Sequence, residues 1–80
     1  MKPYRNRNGD AGVSEYEYGD TWIMLRFTRG GLYKYTSDGV GGLHINRMKR
    51  LADAGSGLTT FVNTHPEVKN GYSWSEDSSR

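Results

Sequence analysis

Aromatic and basic side chains are interleaved in this chain in a pattern that could serve nucleic acid. Tyr33-Lys34-Tyr35 sets two phenol rings two residues apart with a lysine between them. Exposed rings at that spacing stack on unpaired bases, and the ammonium meets phosphate. If the same rings face a core, they are packing residues whose hydroxyls reach the sheet edge. Arg26 and Arg29 lie close by in sequence and would add phosphate contacts. Arg29-Gly30-Gly31 spells the RGG of RNA-binding tails, but a single copy between two strands is hairpin chemistry. Arg47, Lys49 and Arg50 form a second basic cluster. With Arg5 and Arg7 near the N-terminus they could contact a phosphate backbone, the alternative being a solvated helix face. Of the two basic groups, the second is the better nucleic-acid candidate, because only Asp53 stands nearby to neutralise it.

Catalytic constellations are weaker. His44 and His65 are the only histidines, and no His-x-x-x-His pair or carboxylate at ligand spacing accompanies them. Ser56, His44 and Asp53 make a Ser–His–Asp set on paper, but no strained nucleophile turn supports it. Gly39-Val40-Gly41-Gly42 precedes a helix, where backbone N–H groups bind anions. The Gly-Lys-Ser/Thr of a P-loop and the full dinucleotide fingerprint are both missing, so a flexible connection is expected there. No catalytic residue, cofactor or metal is expected.

These side chains must be positioned by two kinds of element. From Val13 to Tyr35 the pattern has period two, with breaks at Gly19-Asp20 and Arg29-Gly30-Gly31. A three-stranded antiparallel meander follows. Tyr16, Tyr18, Ile23, Leu25, Phe27, Tyr33 and Tyr35 fall on one face, which should be buried. Val13, Glu15, Glu17, Arg26 and Lys34 fall on the other, where opposite charges on neighbouring strands attract. After Gly42 the period becomes helical. Ile45, Met48, Leu51, Ala52 and Gly55 gather on one side, Arg47, Arg50 and Asp53 on the other, and Lys49 nearer the sheet-facing edge. Gly55 suits a C-cap and Ser56 an N-cap for a second helix carrying Leu58, Phe61, Val62 and His65, which Pro66 should stop. The expected fold is α+β: a three-stranded meander followed by two helices packed on one face of the sheet.

Length and composition agree with a single domain. Eighty residues cannot fill two cores, and six Tyr, two Trp and two Phe supply area that so short a chain could not get from small side chains. The domain is expected over residues 12–72, with a flexible N-terminal arm over 1–11 and a disordered tail over 73–80 in which Trp74 alone would dock. Cysteine is absent, which excludes disulfides and thiolate metal sites. No apolar leader and no run of ~20 apolar residues is present, so a cytoplasmic protein without a membrane partner is expected, monomeric by default. A net charge of +2 permits nucleic acid without requiring it.

The order of these features resembles the KTSC domain, a short module found at the C-terminus of some lysyl-tRNA synthetases and as a stand-alone bacterial protein. The resemblance rests on Tyr33-x-Tyr35, which follows the apolar strand Ile23–Phe27 and a Gly turn. Helices carrying Met48-Lys49-Arg50-Leu51-Ala52 and Gly55-Ser56-Gly57-Leu58 come next. It implies a non-catalytic module whose suspected partner is RNA. A protein-interaction adaptor is the alternative, using a sheet edge or the apolar side chains Trp22, Met24 and Leu32 of the outer face. A small nucleotide-binding enzyme built on the Gly39–Gly42 loop is a third reading.

Overall fold

The period-two stretch forms three antiparallel strands as expected, but the sheet contains five among the described residues. The computed structural model describes residues 1–5, 12–28 and 31–77. Its strands are β1 (Lys2–Pro3), β2 (Val13–Tyr18), β3 (Trp22–Phe27), β4 (Gly31–Thr36) and β5 (Trp74–Asp77), in the spatial order β1-β2-β3-β4-β5. The two additions come from the segments expected to be a flexible arm and a disordered tail. Neither carries an alternating apolar pattern. What they satisfy is the backbone: without them β2 and β4 would each present a row of unpaired N–H and C=O groups. Short, polar edge strands meet that need without any hydrophobic signature.

The helical half also differs. Among the described residues there are four helices: α1 (Ser37–Val40), α2 (Gly42–Ala54), α3 (Leu58–Thr64) and α4 (Pro66–Lys69). The Gly-rich connection is partly helical because Thr36 caps α1, its hydroxyl accepting a hydrogen bond from the Gly39 N–H at 3.2 Å. Ser56 does not cap the next helix; Gly57, in the left-handed region, is the N-cap residue of α3 and offers no side chain. Pro66 opens α4 at its first position, where its missing N–H costs nothing, instead of merely ending α3.

The core lies between the sheet and the helices. Tyr16, Ile23, Leu25 and Tyr35 from the strands meet Ile45, Met48, Ala52, Leu58, Phe61, Val62 and Val68 from the helices. Cross-strand register sets Tyr16, Leu25 and Tyr33 in one row and Tyr18, Ile23 and Tyr35 in the next. Val13 was expected on the outer face, yet it is buried. The register shifts between Val13 and Glu15, and that bulge turns Val13 back toward the helices. The outer face carries the rows Glu15–Arg26–Leu32–Glu76 and Glu17–Met24–Lys34–Trp74. The expected cross-strand charge pair is present, Arg26 Nε donating to Glu15 Oε1 at 2.9 Å.

Gly55 ends α2 in the left-handed conformation, φ 76°. A Cβ there would also lie only 2.5 Å from Cβ of Arg5. Gly55→Ala therefore meets a backbone penalty of about 1–2 kcal/mol and a steric clash. A lowered urea midpoint is expected, and it should persist in an Arg5→Ala background, because alanine keeps the Cβ that makes the closest contact. Equal midpoints for wild type and Gly55→Ala would contradict this.

Candidate nucleic-acid interface

The geometry of the basic surface follows from how α2 rests on the sheet. Burying Ile45, Met48 and Ala52 leaves Arg47 and Arg50 exposed. Lys49 and Asp53, one turn apart, then run along the flank of the helix beside β2. Asp53 accepts two hydrogen bonds there, from the Tyr16 hydroxyl at 2.8 Å and the Tyr18 hydroxyl at 2.6 Å. Those two rings are near parallel, with centroids 6.2 Å apart.

Cations gather round this phenol–carboxylate group. Lys49 Nζ donates to the Asp20 carbonyl at 2.9 Å and sits 5.3 Å from the Tyr18 ring centroid. Lys2 Nζ, brought in by β1, sits 5.9 Å from the same centroid. Both distances suit cation–π attraction. The stem of Arg5 lies against Gly55 at the C-terminal end of α2, where a positive charge complements the helix dipole. A depression of about 390 Å³ beside β1 is lined by Met1, Lys2, Tyr16, Glu17 and Tyr18. Glu17 lines the depression, Asp20 meets Lys49 through its carbonyl, and Asp53 is engaged by the phenols.

The electrostatics are mutually reinforcing. The hydrogen bonds from Tyr18 and Tyr16 hold the Asp53 carboxyl below its ordinary value, and Lys2 and Arg5 add to this. Burial, then the bond to Asp53, pushes the Tyr16 phenol up to about 12. The Tyr18 phenol is raised chiefly by its bond to Asp53. A lowered carboxylate stabilises the fold above its unfolded value of 3.8 and loses that contribution as pH falls. A raised phenol stabilises the fold below 10.0 and loses that contribution as pH rises. Stability should thus be flat between these values and fall outside them. Asp53→Asn should flatten the acid limb of a melting-temperature profile; an unchanged limb would show that Asp53 is not its source.

The other sequence candidates go elsewhere. Lys34 projects from the opposite side of the sheet, with Nζ 5.1 Å from the Trp22 ring centroid, so it does not join Arg5, Arg47, Lys49 and Arg50. Arg7 and Arg29 lie outside the described residues. Tyr35 is a core residue, 1% exposed. Tyr33 is half-buried and borders a cleft of about 640 Å³ between β4, α3 and α4, together with Phe27 and Tyr72. His44 Nε2 stands 3.2 Å from Glu67 Oε2, and His65 stacks on Phe61 with centroids 4.1 Å apart. With Asp53 held by tyrosines and His44 by Glu67, the Ser56–His44–Asp53 set is not assembled. Among the described residues, no three His, Cys, Asp or Glu side chains are arranged to hold a metal ion, and no helix is long and apolar enough to cross a membrane.

Lys2 and Tyr18 were not singled out as site residues from the sequence. Lys2 lies in a segment with no periodicity, so nothing local placed it against β2. Tyr18 was assigned to the buried face, correctly for its ring direction, but α2 covers it only in part. No protein-family model, curated protein or solved structure matches the chain.

Proposed function

We propose that the protein is a non-catalytic nucleic-acid-binding module, with RNA as its polymer, and that the surface formed by α2, β1 and the end of β2 holds the phosphate backbone. The observation that supports this reading is that Lys2 and Lys49 flank the Tyr18 ring and Arg5 lies at the end of α2, while Arg47 and Arg50 stand exposed on the same helix and Asp53 accepts hydrogen bonds from two phenols. Asp53 stays ionised and offsets part of the field of Lys2 and Arg5, but the five cations together exceed it, and release of counterions from the nucleic acid drives the association. The KTSC resemblance carried by Tyr33 and Tyr35 favours RNA over DNA. Titrating the labelled protein with mixed single-stranded RNA at low salt tests the proposal. Amide signals of residues 2–5 and 47–53 should move, and no movement anywhere would remove it.

A second reading has one observation in its favour. The outer sheet face bears Trp22, Met24, Leu32 and Trp74 on the side away from the helices, and Trp74 is 46% exposed. β5 extends the sheet sideways and leaves that face uncovered among the described residues. Such a face fits a protein-interaction adaptor. Trp74→Glu would weaken that association and leave RNA binding unchanged.

A further inference from the structure

The cleft between β4, α3 and α4 is built unlike the rest of the surface. Its volume, about 640 Å³, lies within the range of small-molecule sites. Three aromatic rings stand edge to face along it. Phe27 and Tyr33 have centroids 5.3 Å apart at 83°, and Tyr33 and Tyr72 have centroids 4.9 Å apart at 86°. Tyr35 completes the wall. Its ring is 1% exposed, and its hydroxyl lines the cleft; no side-chain nitrogen or oxygen among the described residues is both sealed from solvent and without a partner, so this hydroxyl opens onto the cleft. Burial and the neighbouring phenols of Tyr33 and Tyr72 push the Tyr35 pKa up, so the hydroxyl stays neutral and able to donate.

The polar part of the lining narrows the ligand. Lys69 is the one charged residue among the described lining side chains, and no carboxylate is among them. That charge balance favours an anion. Asn63 and Asn70 each offer an amide with donors and an acceptor, the complement a base edge requires. An aromatic carboxylate would use the rings and Lys69 but carries no donor for the Asn63 and Asn70 carbonyl oxygens, which a base edge supplies.

We propose that this cleft is a pocket for a single unpaired nucleotide, its base against Tyr72 and Tyr33 with the Tyr35 hydroxyl and the amides at its edge, and its phosphate at Lys69. The inference rests on the nucleic-acid reading and deepens it: a strand held at α2 would need an unpaired base to fill the cleft, so single-stranded rather than duplex RNA is the ligand class.

The test titrates the full chain with adenosine and uridine 5′-monophosphate, inorganic phosphate, a single-stranded RNA oligonucleotide and duplex RNA, followed by NMR. The monophosphates should shift the amides of residues 31–35, 62–63 and 69–72. Tyr72→Ala removes a ring that is 41% exposed, so folding should survive, and it should weaken the monophosphate by about 10-fold. Tyr35→Phe should weaken it while leaving the melting temperature in place. Phosphate alone producing the same shifts would overturn the nucleotide assignment. Single-stranded RNA moving only the α2 signals would overturn the pocket and leave the nucleic-acid reading intact. Monophosphates moving the cleft signals while RNA leaves residues 2–5 and 47–53 untouched would sustain the pocket and remove the α2 surface.

Discussion

Tyr35→Ala is expected to leave the protein largely unfolded near body temperature. The ring is 1% exposed and lies between Ile23 on β3 and the buried side chains of the helices. Removing a buried aromatic ring costs about 3–5 kcal/mol through lost transfer energy and the cavity left behind. A chain of 80 residues has a total stability of only roughly 4–12 kcal/mol. The loss is therefore a large share of the whole. Tyr35→Phe should stay within about 0.5 kcal/mol of wild type, because the hydroxyl gives up no partner among the described residues. Tyr33→Ala, at a half-buried site, should fall between the two. Urea denaturation of the three variants reads these differences directly. A Tyr35→Ala protein as stable as wild type would mean that the helices do not cover this face in solution.

Arg47→Glu combined with Arg50→Glu is expected to abolish most RNA affinity without touching the fold. Both side chains are exposed and neither packs in the core, so the melting temperature should hold. For single strands, log K falls with log salt by about 0.7 per neutralised phosphate. Five cations at the α2 surface would give a slope of about −3.5, equivalent to a loss of about 100-fold between 50 and 200 mM salt. Reversing two of the five should cut the slope by at least about 1.4. A binding isotherm at several salt concentrations measures it. An unchanged slope would place the phosphate contacts away from α2. The outer-face lysine, Lys34, supplies the control: its substitution should leave the slope unaltered, since it stands over Trp22 on the opposite side of the sheet.

The sequence was informative wherever a residue's environment is decided by its near neighbours. The alternation at Ile23, Leu25 and Tyr35 marked a half-buried sheet because successive strand side chains point to opposite faces. The helical spacing of Ile45, Met48 and Ala52 marked the buried side of α2 for the equivalent reason at period 3.6. Gly55 read as a C-cap from its type alone. The pairing of Glu15 with Arg26 was legible because the meander leaves those two strands little choice of register. Thr36 and Pro66 were legible in principle as helix starts, but a Gly-rich segment and a proline carry opposite signals that masked them.

Other features had no local signal. Lys2–Pro3 and Trp74–Asp77 become strands only because β2 and β4 offer open edges, and an edge accepts almost any backbone. The bulge at Val13–Glu15 reversed one residue's face, and the glycine before it, Gly12, reads equally well as the plain start of a strand. Asp53 seemed a solvated acid on a helix until two tyrosines from β2 were seen to end at its oxygens.

For the basic and aromatic residues noted first, the division is the same. The sequence by itself determined that Arg47 and Arg50 lie on the outward side of α2 and Tyr35 on the buried face of the sheet, since both follow from periodicity within one element. Only the tertiary structure decided which cations share a surface. It joined Lys2 to Lys49 across Tyr18, set Arg5 at the end of α2, sent Lys34 to the far side of the sheet, and opened a cleft at Tyr33 where β4 meets the ends of α3 and α4. Those outcomes depend on contacts between residues up to several tens of positions apart. Hydrophobic burial and backbone pairing set such contacts for the chain as a whole, and the local pattern of side chains carries no record of them.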